Sequence, residues 1–415
     1  MSQKLKKEIW SMKKFLSLLL VAILALSLVT VASAEDYSDV TIRIYSNTND
    51  ESEVAWLKAK AAEAGFTISI DDNTVLSGDT AVVQAADENK DGDVLFGLNE
   101  TRWNQVINGS YANLSLIDWT PTWADQVGAF FYENKAYGVT IQDVLMLYRT
   151  DDLGTNGEAL HFAHWSEMAD AGLAYYRQGK VGGTTNGNIN NCMLFPYADP
   201  TSPAGGISLD GWKALWKYCA GGNFTGDSYG FDPLNRGEVV LSTFYSSSLY
   251  GSVDVAAESS EKPLTYDEAA NKPGNWALVD IDDGSYFIAE YIGVLAREGR
   301  SDRETEAAKA FCEWFGSTET QIGWANEFDR YPCNKAAAEG SDMDDYAGIY
   351  ALNNMALETV PGTEMKYNEY VAAHSAEWTN IMTNLGYFWK DMSAPNAEPD
   401  WDNLDWSVLT QAAAE

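Results

Sequence analysis

The sequence is short of positive charge. Its 415 residues hold 27 Lys and Arg against 61 Asp and Glu, a net charge of -34. Neutralising phosphates takes a basic face, so nucleic acid is excluded as a partner. Histidine is scarce as well. His161 and His164 stand at i, i+3, but there is no H-E-x-x-H and His374 is far away, so surface or capping histidines are a plainer reading than zinc. Cysteine is limited to Cys192, Cys219, Cys312 and Cys333. With no C-x-x-C among them, a zinc ribbon and a thioredoxin motif are excluded. Local pairing, Cys192–Cys219 and Cys312–Cys333, is the simplest disulfide scheme, with buried thiols the alternative. A G-x-x-x-x-G-K-[ST] phosphate loop is absent.

One long apolar run exists, and it is at the start. Lys13-Lys14 precede Phe15–Val29, then Val31-Ala32-Ser33-Ala34 and Glu35-Asp36. A basic region, an apolar core and an A-x-A site make residues 1–34 a signal peptide, with an uncleaved anchor as the alternative. No cysteine follows the apolar core, so lipoprotein processing is not indicated. Residues 1–34 carry five Lys and one Glu, a net +4, so the exported chain is at -34 - 4 = -38. Aromatics are plentiful, at 13% of residues with 15 Trp and 22 Tyr, which sets this acidity apart from that of a disordered chain.

Local patterns then give an α/β organisation. Val40–Tyr45 alternates and breaks at Ser46–Asp50; Glu51–Gly65 has a helical apolar face; Phe66–Ile70 alternates again; Asp93–Leu98 is a short apolar run suited to a buried parallel strand. In such a β-α-β-α-β opening, ligands meet the carboxyl ends of the strands. Ala136–Arg149 is a further β stretch. Helices are expected at Trp165–Tyr176, Leu209–Cys219, Phe231–Arg236 and Arg303–Trp314, and strands at Val239–Ser242 and Tyr286–Leu295. The division expected is residues 39–142 plus 280–342 as one lobe and 143–279 as a second. Helices and an acidic tail over 343–415 would pack on both.

No catalytic constellation stands out. Carboxylates are so many that a glycosidase pair is not excluded, which keeps a secreted glycan-acting enzyme as the rival class. Asp87-Glu88-Asn89-Lys90-Asp91-Gly92 opens like a calcium loop, but its twelfth position is Leu98, so a surface turn is the better reading. Two stretches suit binding. Asp199-Pro200-Thr201-Ser202-Pro203-Ala204-Gly205-Gly206 precedes a helix, where amides and hydroxyls either grip a polar ligand or merely cap. Phe244-Tyr245-Ser246-Ser247-Ser248-Leu249-Tyr250 gathers rings and hydroxyls after a strand.

The order of five segments resembles the extracellular solute-binding proteins of ABC importers. The segments are Gly92–Leu98; Ala136–Asp152, similar to that family's crossover between lobes; Tyr197–Gly206; Arg236–Leu241; and Glu306–Pro332, with its A-x-x-F-x-x-W-x-x-S-x-E-x-Q run and Arg330-Tyr331-Pro332. The subgroup resembled imports ferric iron, thiamine and polyamines. Asp199–Gly205 is similar to its D-P-x-T-S-x-x-G pattern. Gly237–Tyr250 looks like the thiamine proteins, and the separation of Tyr245 from Tyr250 departs from the adjacent tyrosines of the iron proteins.

The resemblance implies a two-lobed, type II periplasmic-binding-protein-like α/β fold with a hinge and an interlobe cleft. It implies an exported, periplasmic or cell-surface binder rather than an enzyme, acting as a monomer with a membrane permease as partner and no cofactor or metal. The solute implied is cationic or heteroaromatic and thiamine-like, with a sugar as the rival ligand. The contacts expected are Tyr45, Asn47, Asn99 and Gln142 from the first lobe and Thr201, Ser202, Tyr229, Tyr245 and Ser246 from the second, with Tyr286 closing the far side.

Overall fold

The computed structural model describes residues 36–48, 50–71, 73–76, 78–128, 130–150, 160–165, 167, 187–220, 241–245, 264–267, 272–284, 287–328, 330–341, 358–385 and 398–411. The expected signal peptide at 1–34 and the expected helix Phe231–Arg236 lie outside them, as does almost all of Trp165–Tyr176. Among the described residues no helix is long and apolar enough to cross a membrane.

The chain opens with β1 (Tyr37–Ser46), α1 (Glu51–Glu63), β2 (Phe66–Ser69), α2 (Asp79–Asn89), β3 (Val94–Leu98) and α3 (Glu100–Ile107). β1 lies between β2 and β3 and is parallel to both. β3 is buried along its whole length, as an inner strand covered on both faces should be. Asp50 caps α1 by accepting the Ser52 backbone N–H at 2.7 Å, and Glu51 and Glu53 sit in its first turn, where the helix dipole favours them.

Next come β4 (Phe131–Tyr132) and β5 (Ala136–Arg149), then β6 (His161–Phe162), α4 (Gly187–Leu194), α5 (Leu209–Ala220) and β7 (Leu241–Tyr245). A short antiparallel pair, β8 (Tyr266–Asp267) and β9 (Lys272–Pro273), leads to β10 (Trp276–Leu278), β11 (Asp280–Ile281) and β12 (Phe287–Val294). After β12 follow α6 (Asp302–Phe315), α7 (Thr318–Phe328), β13 (Tyr331–Pro332), α8 (Lys335–Gly340), α9 (Tyr367–Leu385) and α10 (Trp406–Leu409). Ser301 and Glu304 form a capping box on α6.

β5 is the pivot of the architecture. Its first part, Ala136–Asp143, pairs antiparallel with β12, which in turn pairs antiparallel with β3. Its last part pairs with β7 over Val144–Tyr148 and with β10 over Leu147–Arg149. One strand therefore leaves the sheet of the opening half and builds the sheet of the next.

The apolar core divides in the same way. One cluster joins Ile42, Ile44, Phe96 and Trp103 to Phe287, Tyr291, Phe311, Phe315 and Trp324. The other joins Met146, Phe162, Trp165, Phe195, Trp212 and Ile281 to Tyr370, Trp378 and Ile381 of α9. The border between the clusters falls after Ile281 and before Phe287, and α9 returns the chain to the second.

Two expectations need correction. Cys312 is a buried free thiol, so the Cys312–Cys333 bridge is not made; the Cys219 side chain lies outside what is described. Asp87–Gly92 is not a surface turn throughout: Asp87–Asn89 are the last residues of α2, and Lys90 caps its end at φ +59°. Leu98 is buried in β3, Asp87 accepts the Asn113 backbone N–H, and Asp91 accepts the Tyr45 hydroxyl.

Candidate functional site

The carboxyl ends of β1 and β3 meet at Asp79, the first residue of α2. One carboxylate oxygen accepts from Asn47 Nδ2 at 2.8 Å and the other from the Asn99 backbone N–H at 3.0 Å. The Asn99 side chain caps α3, accepting the Arg102 N–H at 3.2 Å. This junction needs a glycine at position 97, where φ is +79° and a Cβ would collide with Asn47 Oδ1.

Charged groups collect beside it. Arg330, just before β13, reaches Glu53 of α1 at 2.8 Å, and its Nε also donates to Glu53 Oε1 at 2.9 Å. Glu53 is buried. Glu290 pairs with Thr140 of β5 across one ladder, and Pro332 pairs with Thr140 across the other. Residues directly opposed in a sheet share a face, so Glu290 and the β13 entry flank the same point of β5.

Burial is the main reason the Glu290 carboxyl is pushed up to about 7. Arg330 pulls it down, while Glu53 and Asp79 push it further up. The Arg330 guanidinium is raised: burial opposes its charge, but Glu53, Glu290 and Asp50 outweigh that. Glu53, Glu290 and Asp50 thus all act on the Arg330 guanidinium.

Of the ten residues expected to touch a solute, Asn47 and Asn99 are brought together here. Tyr45 is not presented to a solute. Its ring is fully buried, and its hydroxyl donates to Asp91 at 2.7 Å and accepts from Asn89 at 3.0 Å. Because β1 is covered on both faces near its end, alternation there does not point a side chain outward.

Thr201 and Ser202 spend their hydroxyls within their own loop. Thr201 Oγ1 donates to Asp199 at 2.7 Å, and Ser202 Oγ donates to the Ile207 carbonyl at 2.6 Å. That loop is held by α9, where the Tyr370 hydroxyl and Trp378 Nε1 donate to the Gly206 and Gly205 carbonyls, each at 2.8 Å. Gln142 lies within β5 opposite Ile288, and Tyr245 ends β7 opposite Val144; neither side chain is described. Tyr229, Ser246 and Tyr286 lie outside the described residues. So does Gly226-Asp227-Ser228-Tyr229-Gly230, the one G-x-S-x-G spacing in the chain.

Glu53, Asp79 and Glu290 were not singled out by sequence. Each reads alone as an ordinary acidic residue of a helix start or a strand. Arg330 was visible as part of Arg330-Tyr331-Pro332, and only the fold shows that it pairs with Glu53.

The fold is the two-lobed α/β fold of type II periplasmic binding proteins. The family model for bacterial extracellular solute-binding proteins matches residues 55–351, and the chain belongs to that family. Solved structures agree on the fold. The apo ferric ion-binding protein A of Pasteurella haemolytica is similar at a TM-score of 0.57 and 14% identity, over 85% of this chain and 99% of that one. Apo FutA2 of Synechocystis PCC6803 reaches 0.55 at 16% identity, over 84% and 99%. The spermidine/putrescine ABC transporter substrate-binding protein PotD of Streptococcus pneumoniae reaches 0.53 at 12% identity, over 86% and 100%. No curated protein matches by sequence.

Proposed function

We propose that this protein is the exported substrate-binding component of an ABC importer, a monomer that captures a small organic cation between its lobes and passes it to a membrane permease. The observation that carries the choice of solute is the charge at the carboxyl ends of β1 and β3. Glu53, paired with Arg330, lies beside Asp79 and Glu290, and the fields of these acidic side chains reach one another. A cation entering a low-dielectric cleft beside two carboxylates is attracted there, and an anion is repelled.

Type II proteins of this family bind by closing two lobes about their hinge strands. β5 and the passage from β11 to β12 are the strands that would flex here. The second lobe's face would come from Thr201, Ser202, Tyr229, Tyr245 and Ser246, with Gln142 joining from the first lobe and Tyr286 closing the far side. Tyrosine rings there would stack on a heteroaromatic cation such as thiamine. Among the solved neighbours one is named as a spermidine/putrescine-binding protein and others as ferric ion-binding proteins, so both classes belong in the test.

A thermal-shift screen with thiamine, spermidine, ferric citrate and a malto-oligosaccharide tests the reading. A ligand at a hundred times its Kd stabilises by about 2.7 kcal/mol. Stabilisation by thiamine or spermidine is expected. A shift from the oligosaccharide alone would favour a sugar importer, and glycan turnover would make the protein an enzyme.

A further inference from the structure

We infer that the cavity between α3 and α9 is a second binding site, for a monosaccharide or small polyol, separate from the strand-end site and independent of the cation reading.

Its walls come from both cores. Trp103 and Val106 anchor α3 in the first apolar cluster, and Tyr370, Val371 and Trp378 anchor α9 in the second. The two helices pack against each other. Between them lies a cavity of about 460 Å³, a size typical of small-molecule sites. Asn104, Gln105 and Asn108 line it from α3, and Ala372, Ala373 and Ala376 line it from α9. Each trio falls at i, i+1 and i+4, so it occupies one face of its helix. Tyr132 of β4 adds a ring, which packs on Tyr291 with 5.0 Å between ring centroids. Asn47, Asp79 and Asn99 take no part in the lining. Asn104 and Asn108 stand about 7–14 Å past Asn99 along the axis of α3, at about 1.5 Å of rise per residue.

The lining selects the occupant. Among the described residues the Asn104 and Asn108 side-chain amides have no hydrogen-bond partner. Gln105 Oε1 accepts from Arg102 at 2.7 Å and from Tyr111 at 3.3 Å, which leaves its amide N–H groups to donate. Glu369 also lines the cavity; its Oε2 accepts the Lys366 backbone N–H at 2.9 Å, which leaves Oε1 to accept. Amides that donate and accept beside a carboxylate that accepts are matched by adjacent hydroxyls. The alanine face and the Tyr132 ring suit the C–H face of a sugar ring. No lysine or arginine lines the cavity, so it offers nothing to hold a phosphate or a carboxylate.

A buried acceptor stands at the edge of the same helical face. Asn368, one turn before Ala372, is 5% exposed, and its Oδ1 accepts from no group. Such an acceptor costs free energy until a donor reaches it, and hydroxyls are donors. An occupant touching both helices also favours the arrangement in which α3 and α9 stand here.

Titrated saturation-transfer NMR with D-glucose, myo-inositol and spermidine tests the inference. Transfer to glucose or inositol is expected. Ala376→Phe fills the cavity from an exposed position, and is expected to weaken that binding about tenfold or more by steric exclusion. Asn104→Leu, which removes an amide, is expected to weaken it too and serves if the first variant does not fold; circular dichroism and Tm establish which variants do. Asp79→Asn, at the strand ends, is expected to leave the sugar or polyol binding unchanged. Transfer to spermidine alone would overturn the inference and leave the cation reading standing, and transfer to none of the three would overturn the inference as well. Binding of glucose or inositol that is lost in Asp79→Asn but kept in the folded cavity variants would place the sugar at the strand ends and overturn it too.

Discussion

Arg330 and Glu53 lie 277 positions apart and meet at 2.8 Å, joining the entry of β13 to the first turn of α1. The pair fixes the border of the acidic site, with Glu290 close enough for its charge to act on Arg330 and Asp79 close enough to act on Glu290. Glu53 is almost wholly buried. Arg330→Ala is therefore expected to cost roughly 3 kcal/mol, the scale of leaving one member of a buried pair alone. Urea denaturation measures the loss. Glu53→Gln in the Arg330→Ala background should recover part of it, because the stranded charge is removed.

Gly97→Ala probes the junction of β1 and β3. The position has φ +79° and Asn47 Oδ1 in the space a Cβ would take. A loss of stability above about 1 kcal/mol is expected. Solute affinity should fall with it, since Asn47 must leave Asp79. Unchanged stability and binding would show that Asn47 is not held as described.

The second lobe depends on a helix far along the chain. Trp378 of α9 is fully buried and donates to the Gly205 carbonyl, and Tyr370 donates to that of Gly206. Gly206 has φ +70°, with the Tyr370 hydroxyl in the space a side chain would need. Trp378→Ala is expected to lower stability by about 3–5 kcal/mol, the range for emptying a large buried aromatic site. Thermal unfolding checks it.

Two histidines clasp the turn that leads into β12. His161 Nε2 lies 2.8 Å from Asp282, and His164 Nδ1 lies 3.0 Å from Asp283. Hydrogen bonding to these carboxylates raises both imidazoles above their ordinary 6.5. Asp283 is itself raised, because burial outweighs the help from His164. A histidine raised in the folded state stabilises fully below 6.5 and stops doing so as pH climbs through the raised value. The effect is small, since the His161 and His164 side chains are 49% and 54% exposed. The Tm deficit of His164→Ala relative to wild type should therefore be larger at pH 5.5 than at pH 8.5. A deficit that grows with pH would contradict the pairing.

Much of the fold was legible because its strands and helices carry strong local patterns. Val40–Tyr45, Glu51–Gly65, Phe66–Ile70 and Asp93–Leu98 correspond to β1, α1, β2 and β3, and Ala136–Arg149 coincides with β5. Arg303–Trp314 and Leu209–Cys219 each fall within a residue of α6 and α5. α3 and α4 were passed over, since both are only 8 residues long and α4 holds three Asn, a poor helix former.

The site was less legible, for two reasons. Tyr45 looked like a strand-end contact because alternation predicts which face a residue takes, but not that both faces are covered. Glu53, Asp79 and Glu290 are three acids among 61 in the chain. Their relation to Arg330 exists only once α1, α2, β12 and β13 have assembled.

The account's central claim is that a small cation is held at the carboxyl ends of β1 and β3, where Asp79 ties Asn47 to Asn99. Its most direct test is calorimetric titration of the wild type and of Asp79→Asn with thiamine and spermidine at pH 8. The account predicts that at least one of them binds the wild type, and that Asp79→Asn weakens that binding tenfold or more while the protein remains folded. Equal affinity in the two proteins would place the solute elsewhere and contradict the account.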